Sequence, residues 1–200
     1  DKDSALFDHN VYVLCSDGDL QEGVSAEASS LAGTQELGNL VVIYDDNRIS
    51  IEGDTHIAFT ENVSARYAAY GWHVEEVAAA SDGSVDIQAL DAAIERAKKE
   101  TSKPSLIRMH TVIAWPAPKA QGTAKSHGSA LGDEEVASTK RELGLNPEES
   151  FAMPAELLAH SRKVIERGAK AHSEWNEKLS KWRSSNAEKS SLLDRLISGK

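Results

Sequence analysis

The sequence predicts an α/β fold: an open, mostly parallel sheet with helices on both faces, followed by a helical C-terminal segment. Short continuous apolar runs at residues 11–15 and 40–44 flank a stretch of helical composition, the pattern of a right-handed βαβ unit whose strands are buried on both faces. The alternation of strand-like and helix-like segments then continues to Val112. From Asp133 onward the patterns are helical throughout.

Residues 1–10 are polar and run straight into the first strand without a capping unit, which reads as a cut start. The first strand ends at Cys15, the single cysteine, which has no internal disulfide partner and suits a small buried thiol in a reducing compartment. Ser16-Asp17-Gly18-Asp19 breaks the run, and residues 21–37 have helical composition, with Gly38 placed to end the helix in the left-handed conformation. Residues 40–44 form the second strand. Residues 62–70 read as a helix stopped by Gly71, residues 72–77 as a strand, and residues 87–99 as an amphipathic helix with Ile87, Leu90, Ile94 and Ala97 at helical spacing. Residues 105–112 are the next strand.

Residues 114–131 have no periodicity and are rich in Ala, Gly, Pro and Ser, so they form a long loop past the carboxyl end of a strand, where such loops are commonly functional. Residues 133–143 and 155–184 are helical, and Leu192, Leu193 and Ile197 mark a last helix. Trp175 and Trp182 share one helix face, a packing pattern. The expected division is a partial α/β domain over residues 1–132 and a helical extension over residues 133–200.

Two hundred residues, 40% of them apolar, suffice for one α/β domain with a full core. A net charge of −10 disfavours nucleic acid and anionic lipid as partners. No apolar run approaches the ~20 residues of a membrane span, and no basic-then-apolar leader is present, so the expected location is cytoplasmic. In so acidic a chain, an anionic ligand needs a metal ion or a local nest of N–H groups.

A diphosphate held by Mg²⁺ requires hard oxygen ligands in octahedral array. Asp17 at the end of the first strand offers a carboxylate, and Asn47 at the end of the second offers an amide oxygen. A βαβ unit sets those ends side by side. Gly18 lets the backbone approach phosphate, and the helix opening near Gln21 aims its N-terminus into the same crevice. Simpler roles compete: Asp17 suits a helix cap, and Asn47 a left-handed turn.

The string Ser16-Asp17-Gly18-Asp19-Leu20-Gln21-Glu22-Gly23, then Glu27-Ala28-Ser29-Ser30-Leu31-Ala32-Gly33, Leu37-Gly38-Asn39-Leu40 and Tyr44-Asp45-Asp46-Asn47-Arg48-Ile49-Ser50-Ile51 closely resembles the thiamin diphosphate motif of transketolases. Ala69-Tyr70-Gly71-Trp72-His73-Val74, Thr111-Val112-Ile113 and Lys125-Ser126-His127-Gly128 extend the resemblance over most of the chain. Ser16 departs from it by standing where the family usually has glycine.

The resemblance implies that Asp17, Asn47 and the main-chain carbonyl of Ile49 ligate Mg²⁺, with Ca²⁺ or Mn²⁺ as possible substitutes. It implies that Gly18 and His127 contact the diphosphate of thiamin diphosphate, and that Ile51 and Ile113 pack against its thiazolium ring. Glu22 and Glu27 match carboxylates of a network across a homodimer interface, and with His127 they are the expected catalytic residues.

The implied activity is transfer of a two-carbon ketol unit from a ketose phosphate to an aldose phosphate, in the pentose phosphate pathway. Transketolases continue into a pyrimidine-binding domain carrying the activating glutamate, and this chain resembles only the later part of the first domain, so by itself it is expected to be silent. Each assignment has a plainer rival. His127 has the rival of a solvated loop residue, Glu22 of a first-turn charge, Glu27 of a surface charge, His110 reads as core, and Ile49, Ile51 and Ile113 would be apolar in almost any fold.

Two other functions fit some of the residues. Residues 11–19 match the strand-then-Asp-x-Asp pattern of haloacid dehalogenase-like phosphatases, with Asp17 as nucleophile and Asp19 as general acid. That leaves Asp45-Asp46-Asn47 and Ser126-His127-Gly128 unused, and Leu20-Gln21 does not continue the phosphatase pattern. A module that binds cofactor or partner without turnover is the other.

Overall fold

The computed structural model describes residues 6–199. β1 (Val11–Ser16) is extended, as its β-branched and aromatic residues favour. It ends where the backbone N–H and hydroxyl of Ser16 both donate to the Asp19 carboxylate, at 2.8 and 3.2 Å, a cap that starts α1 (Asp17–Gln21) at once. Glu22 is extended (φ −70°, ψ 131°), and α2 (Gly23–Thr34) begins after it. The single helix expected over residues 21–37 is therefore two helices, because the Asp19 cap nucleates the first one earlier. Gly38 does not supply the left-handed residue; Glu36 does, with φ 52°. Glycine is required at 38 for another reason, since a Cβ there would lie 2.1 Å from the Thr101 carbonyl oxygen.

β2 (Leu40–Asp46) leads into a small antiparallel hairpin, β3 (Ile49–Ser50) and β4 (Gly53–Asp54). α3 (Val63–Ala69) is capped by the Asn62 side chain, which accepts from the Ala65 N–H at 3.0 Å, and the chain turns at Gly71 with φ 87°. Trp72 precedes β5 (His73–Val77) instead of opening it; it is buried, and its indole N–H donates to the Ser29 carbonyl at 2.8 Å. α4 (Ile87–Lys99) has the expected bounds, with Asp86 accepting from the Ala89 N–H at 2.9 Å. β6 (Ser105–His110) stops two residues before the apolar pattern does.

The sheet order is β1-β2-β6-β5, every pair parallel. On one face Val42, Tyr44 and Leu106 pack against Leu20, Ala32, Tyr67 and Trp72 from the α1–α3 side. On the other, Val41, Val77 and Ile107 pack against Ala93 and Ala97 of α4. Each large apolar side chain so buried contributes about 1.5–3 kcal/mol.

β1 departs from expectation. It is an edge strand with Leu14 73% and Tyr12 50% exposed. An apolar run specifies a strand but not what covers it, and here β1 has a sheet neighbour on one side only.

The segment past β6 contains one short helix, α5 (Lys125–Gly128), and α6 (Asp133–Glu142) follows. α7 (Ala155–Ser185) and α8 (Ala187–Ser198) complete the chain. The described residues divide into two compact units, one over residues 9–149 and one over residues 150–199 with residues 6–8. α6, the first helix of the expected extension, belongs to the former unit. In the latter, the Trp175 indole donates to the Leu6 carbonyl at 2.8 Å and meets Phe7 edge-on, while Arg183 pairs with Asp194 at 2.8 Å. Among the described residues no helix is long and apolar enough to cross a membrane.

Candidate functional site

The β-sheet register places Ser16 beside Asp45 and Asp46 beside His110. The turns leaving β1, β2 and β6 consequently meet at one edge, where open α/β sheets bind ligands. Asp17 is only 1% exposed. The cap of α1 is made by Ser16 and Asp19, so Asp17 is not the cap. Its carboxylate accepts instead from the Tyr44 hydroxyl at 2.6 Å and from the Arg48 backbone N–H at 3.0 Å. A carboxylate offers about four lone-pair positions, so acceptor capacity remains. Burial pushes the Asp17 carboxyl above its ordinary range, with the nearby Asp46 charge adding to it; the Tyr44 and Arg48 donors pull it back. Burial, then Asp17 itself, pushes the Tyr44 phenol far up, so it remains a donor.

Asn47 follows β2 and its side-chain oxygen accepts from the Ile49 N–H at 2.9 Å. The left-handed residue of this turn is Arg48 (φ 62°), so Asn47 does not take that position; its side chain closes an Asx turn on Ile49 instead. Ile51 is also left-handed (φ 52°) and 67% exposed. A β-branched residue held there is strained by about 1–3 kcal/mol, the kind of strain found at ligand clamps. Beside Gly18, an added Cβ would meet nothing nearer than Ser50 Oγ at 3.9 Å, so the space between α1 and the β3–β4 hairpin is open.

Behind these groups lies a layer that sequence reasoning missed. Asp46, 3% exposed, receives Arg108 at 2.7 and 2.8 Å and His110 Nδ1 at 2.9 Å. His110 thus lies within hydrogen-bond distance of a buried acid and is not a plain core residue. The Thr111 hydroxyl donates to Asp45, and its N–H to the Asp46 carbonyl at 3.2 Å. The available signal was strand parity: Asp46 shares a face with Tyr44, and a buried acid demands a partner. A cavity of about 420 Å³ opens here, lined by Asp17, Tyr44, Asp46, Arg48, Phe59 and Arg108 among others.

The fold brings Asp17 and Gly18, at the start of α1, against the segment from Asn47 to Ile51 that leaves β2. Ile113 is half-buried past the end of β6, and its carbonyl accepts from the Gly122 N–H at 2.8 Å. His127 is exposed on α5; Glu22 and Glu27 are exposed at the start of α2 and within it. No side-chain hydrogen bond joins these three to the Asp17 group among the described residues.

One buried carboxylate, one amide oxygen and main-chain carbonyls suit a hard divalent cation that takes its other ligands from phosphate and water. No cluster of three His, Cys, Asp or Glu that could hold a metal occurs among the described residues, so a site built from imidazole and thiolate is not matched. The phosphatase reading is not favoured, because the Asp19 carboxylate is engaged by Ser16.

A family model described as transketolase, thiamine diphosphate binding domain, matches residues 1–200. A transketolase of Mycobacterium leprae is 49% identical over 191 residues, covering 96% of this chain and 27% of that protein. A crystal structure of Pichia stipitis transketolase in complex with sedoheptulose-7-phosphate superposes with a TM-score of 0.89 at 45% identity, covering 100% of this chain and 29% of that one. Leishmania mexicana transketolase superposes with a TM-score of 0.90 at 36% identity, covering 100% and 29%. The chain therefore spans less than a third of the length of these relatives. With the motif residues gathered at the carboxyl ends of β1 and β2 and the match running through the whole chain, the chain belongs to the transketolase thiamine diphosphate-binding domain family.

Proposed function

We propose that this chain is the diphosphate- and metal-holding part of a cytoplasmic, homodimeric transketolase of the pentose phosphate pathway, moving a two-carbon ketol unit from a ketose phosphate to an aldose phosphate. The observation that carries the reading is the buried Asp17 carboxylate, which retains acceptor capacity beside Asn47 at the neighbouring strand end.

In this reading Asp17, the Asn47 side chain and the Ile49 carbonyl hold Mg²⁺, with Ca²⁺ or Mn²⁺ as substitutes. Bound thiamin diphosphate supplies carbanion stabilisation for breaking a carbon–carbon bond beside a carbonyl. This chain's residues bind and orient. Gly18 admits the diphosphate, His127 donates to it, and the strained, exposed Ile51 offers an apolar surface to the thiazolium with Ile113. Tyr44 and the Arg48 N–H keep the Asp17 carboxylate aimed. Glu22, exposed just before α2, and Glu27, exposed within it, join the interface network of the dimer. Residues 133–200 lead towards a pyrimidine-binding domain. The relative solved with sedoheptulose-7-phosphate supports sugar phosphates as substrates.

Calorimetry with thiamin diphosphate and Mg²⁺ on the wild-type chain and on Asp17→Ala tests the binding role: affinity falls at least about tenfold in the variant, and equal affinity removes Asp17 as a ligand. An assay with ketose phosphate, aldose phosphate, cofactor and Mg²⁺ finds no turnover by the 200-residue chain alone; clear turnover contradicts the division of labour between domains.

A further inference from the structure

Glu135 is a buried carboxylate at the third position of α6, only 7% exposed, and the proposed chemistry does not use it. Its Oε1 accepts from two successive backbone N–H groups of the loop, Lys119 at 2.6 Å and Ala120 at 2.9 Å. A single oxygen taking two main-chain donors is a charge-assisted clamp, stronger than neutral hydrogen bonds. From there a ladder of hydrogen bonds runs towards α5. The Ala120 carbonyl accepts from the Thr123 hydroxyl at 2.7 Å, and the Thr123 carbonyl from the Ser126 hydroxyl at 2.6 Å and N–H at 3.2 Å. His127 is the next residue, and its own N–H donates to the Ala124 carbonyl at 3.0 Å. The other end of the loop is tied by Gly122 to Ile113.

α5 has four residues and none of them is buried, so packing does not hold His127 in place. Its placement rests on these ties together with the buried Ala117, whose carbonyl accepts from the Gln121 N–H at 3.1 Å, and the tie from α6 ends on Glu135. We propose that Glu135 is a positioning residue: through Lys119, Ala120, Thr123 and Ser126 it sets where His127 stands relative to the diphosphate. The inference rests on the proposed role of His127, while the clamp itself is a property of the loop.

The experiment uses the full 200-residue chain and two readouts. In Glu135→Ala, amide hydrogen exchange over residues 119–128 quickens at least about tenfold, equal to about 1.4 kcal/mol of local opening, while residues 41–46 keep wild-type protection. Glu135→Gln, whose side-chain oxygen still accepts but carries no charge, falls between wild type and Glu135→Ala. Titration with Mg²⁺ and inorganic pyrophosphate shifts the His127 ring-proton resonances in wild type and Glu135→Gln, and the shift is lost in Glu135→Ala. Wild-type exchange over residues 119–128 in Glu135→Ala overturns the clamp; should that variant fail to fold, Glu135→Asp, one methylene short of the amides, decides in the same way. An unshifted His127 in the wild-type titration instead overturns the diphosphate role of His127, so the two failures are separable.

Discussion

The hydroxyl of Tyr44 donates to the carboxylate of Asp17 across 2.6 Å, joining an inner strand of the β-sheet to the first residue of a helix. Both residues are almost fully buried. Hydrogen bonds to charged groups are worth about 1.5–3 kcal/mol, and losing one leaves a buried acceptor unmet. Tyr44→Phe should lower the unfolding free energy by that amount and weaken Mg²⁺ binding, as measured by urea denaturation and calorimetry. An unchanged urea midpoint would show that the bond carries no weight.

The raised pKa of Asp17 has a definite sign. The folded chain holds the Asp17 proton more tightly than the unfolded chain, so ionising it in place costs stability. That cost grows as pH rises from about 4, the unfolded value, through the higher folded value, and is constant above it. Measured without metal, the stability of wild type relative to Asp17→Asn should fall over that window and recover when Mg²⁺ is added at neutral pH. A flat difference from pH about 4 to 7 contradicts the assignment.

Glu75 titrates the other way. Bidentate pairing with Arg96, at 2.8 and 2.9 Å, holds its carboxyl below the ordinary range. A depressed value contributes stability above the unfolded value of about 4.3 that disappears as pH falls through the folded one. Glu75→Gln should therefore be less stable than wild type at neutral pH, with the gap closing below pH about 4. A gap that persists in acid would assign the effect to packing.

Glycines in this fold have opposite reasons to be there. At Gly33 a Cβ would lie 1.9 Å from the Tyr70 carbonyl oxygen, so Gly33→Ala forces backbone apart where α2 meets the turn before β5. It should cost about 3 kcal/mol, at the upper end of overpacking. Gly168, mid-helix in α7 with nothing within 4 Å of a new Cβ, should gain about 0.5–1 kcal/mol as alanine. Thermal unfolding followed by circular dichroism distinguishes them; the same sign for both variants would refute the steric argument.

Ile51 offers a test of strain against function. Replacing it with glycine removes the left-handed penalty at an exposed position, so Ile51→Gly should raise stability by about 1 kcal/mol. The same change should weaken thiamin diphosphate binding by removing the apolar surface. A variant both less stable and equally tight would reverse both halves of the reading.

Much of this was legible in the chain. The apolar runs around residues 11–15 and 40–44 and the helical spacing of Leu90, Ile94 and Ala97 are local signals, and local signals set element type. The motif from Ser16 to Ile51 likewise located the strand-end turns. The break at Glu22 was not legible, because the Asp19 cap competes with the helix that follows it.

The sequence by itself determined the alternation of strands and helices, and hence which residues stand at the carboxyl ends of β1 and β2. Tertiary structure decided what surrounds them. That Asp17 is held by Tyr44 and Arg48, that Asp46 is answered by Arg108 and His110, and that Glu135 grips the loop leading to His127 all depend on neighbours far away in sequence. Strand and helix periodicities record which side of an element meets the core. They carry no record of which buried carboxylate finds which donor, because that pairing exists only once the strands lie side by side.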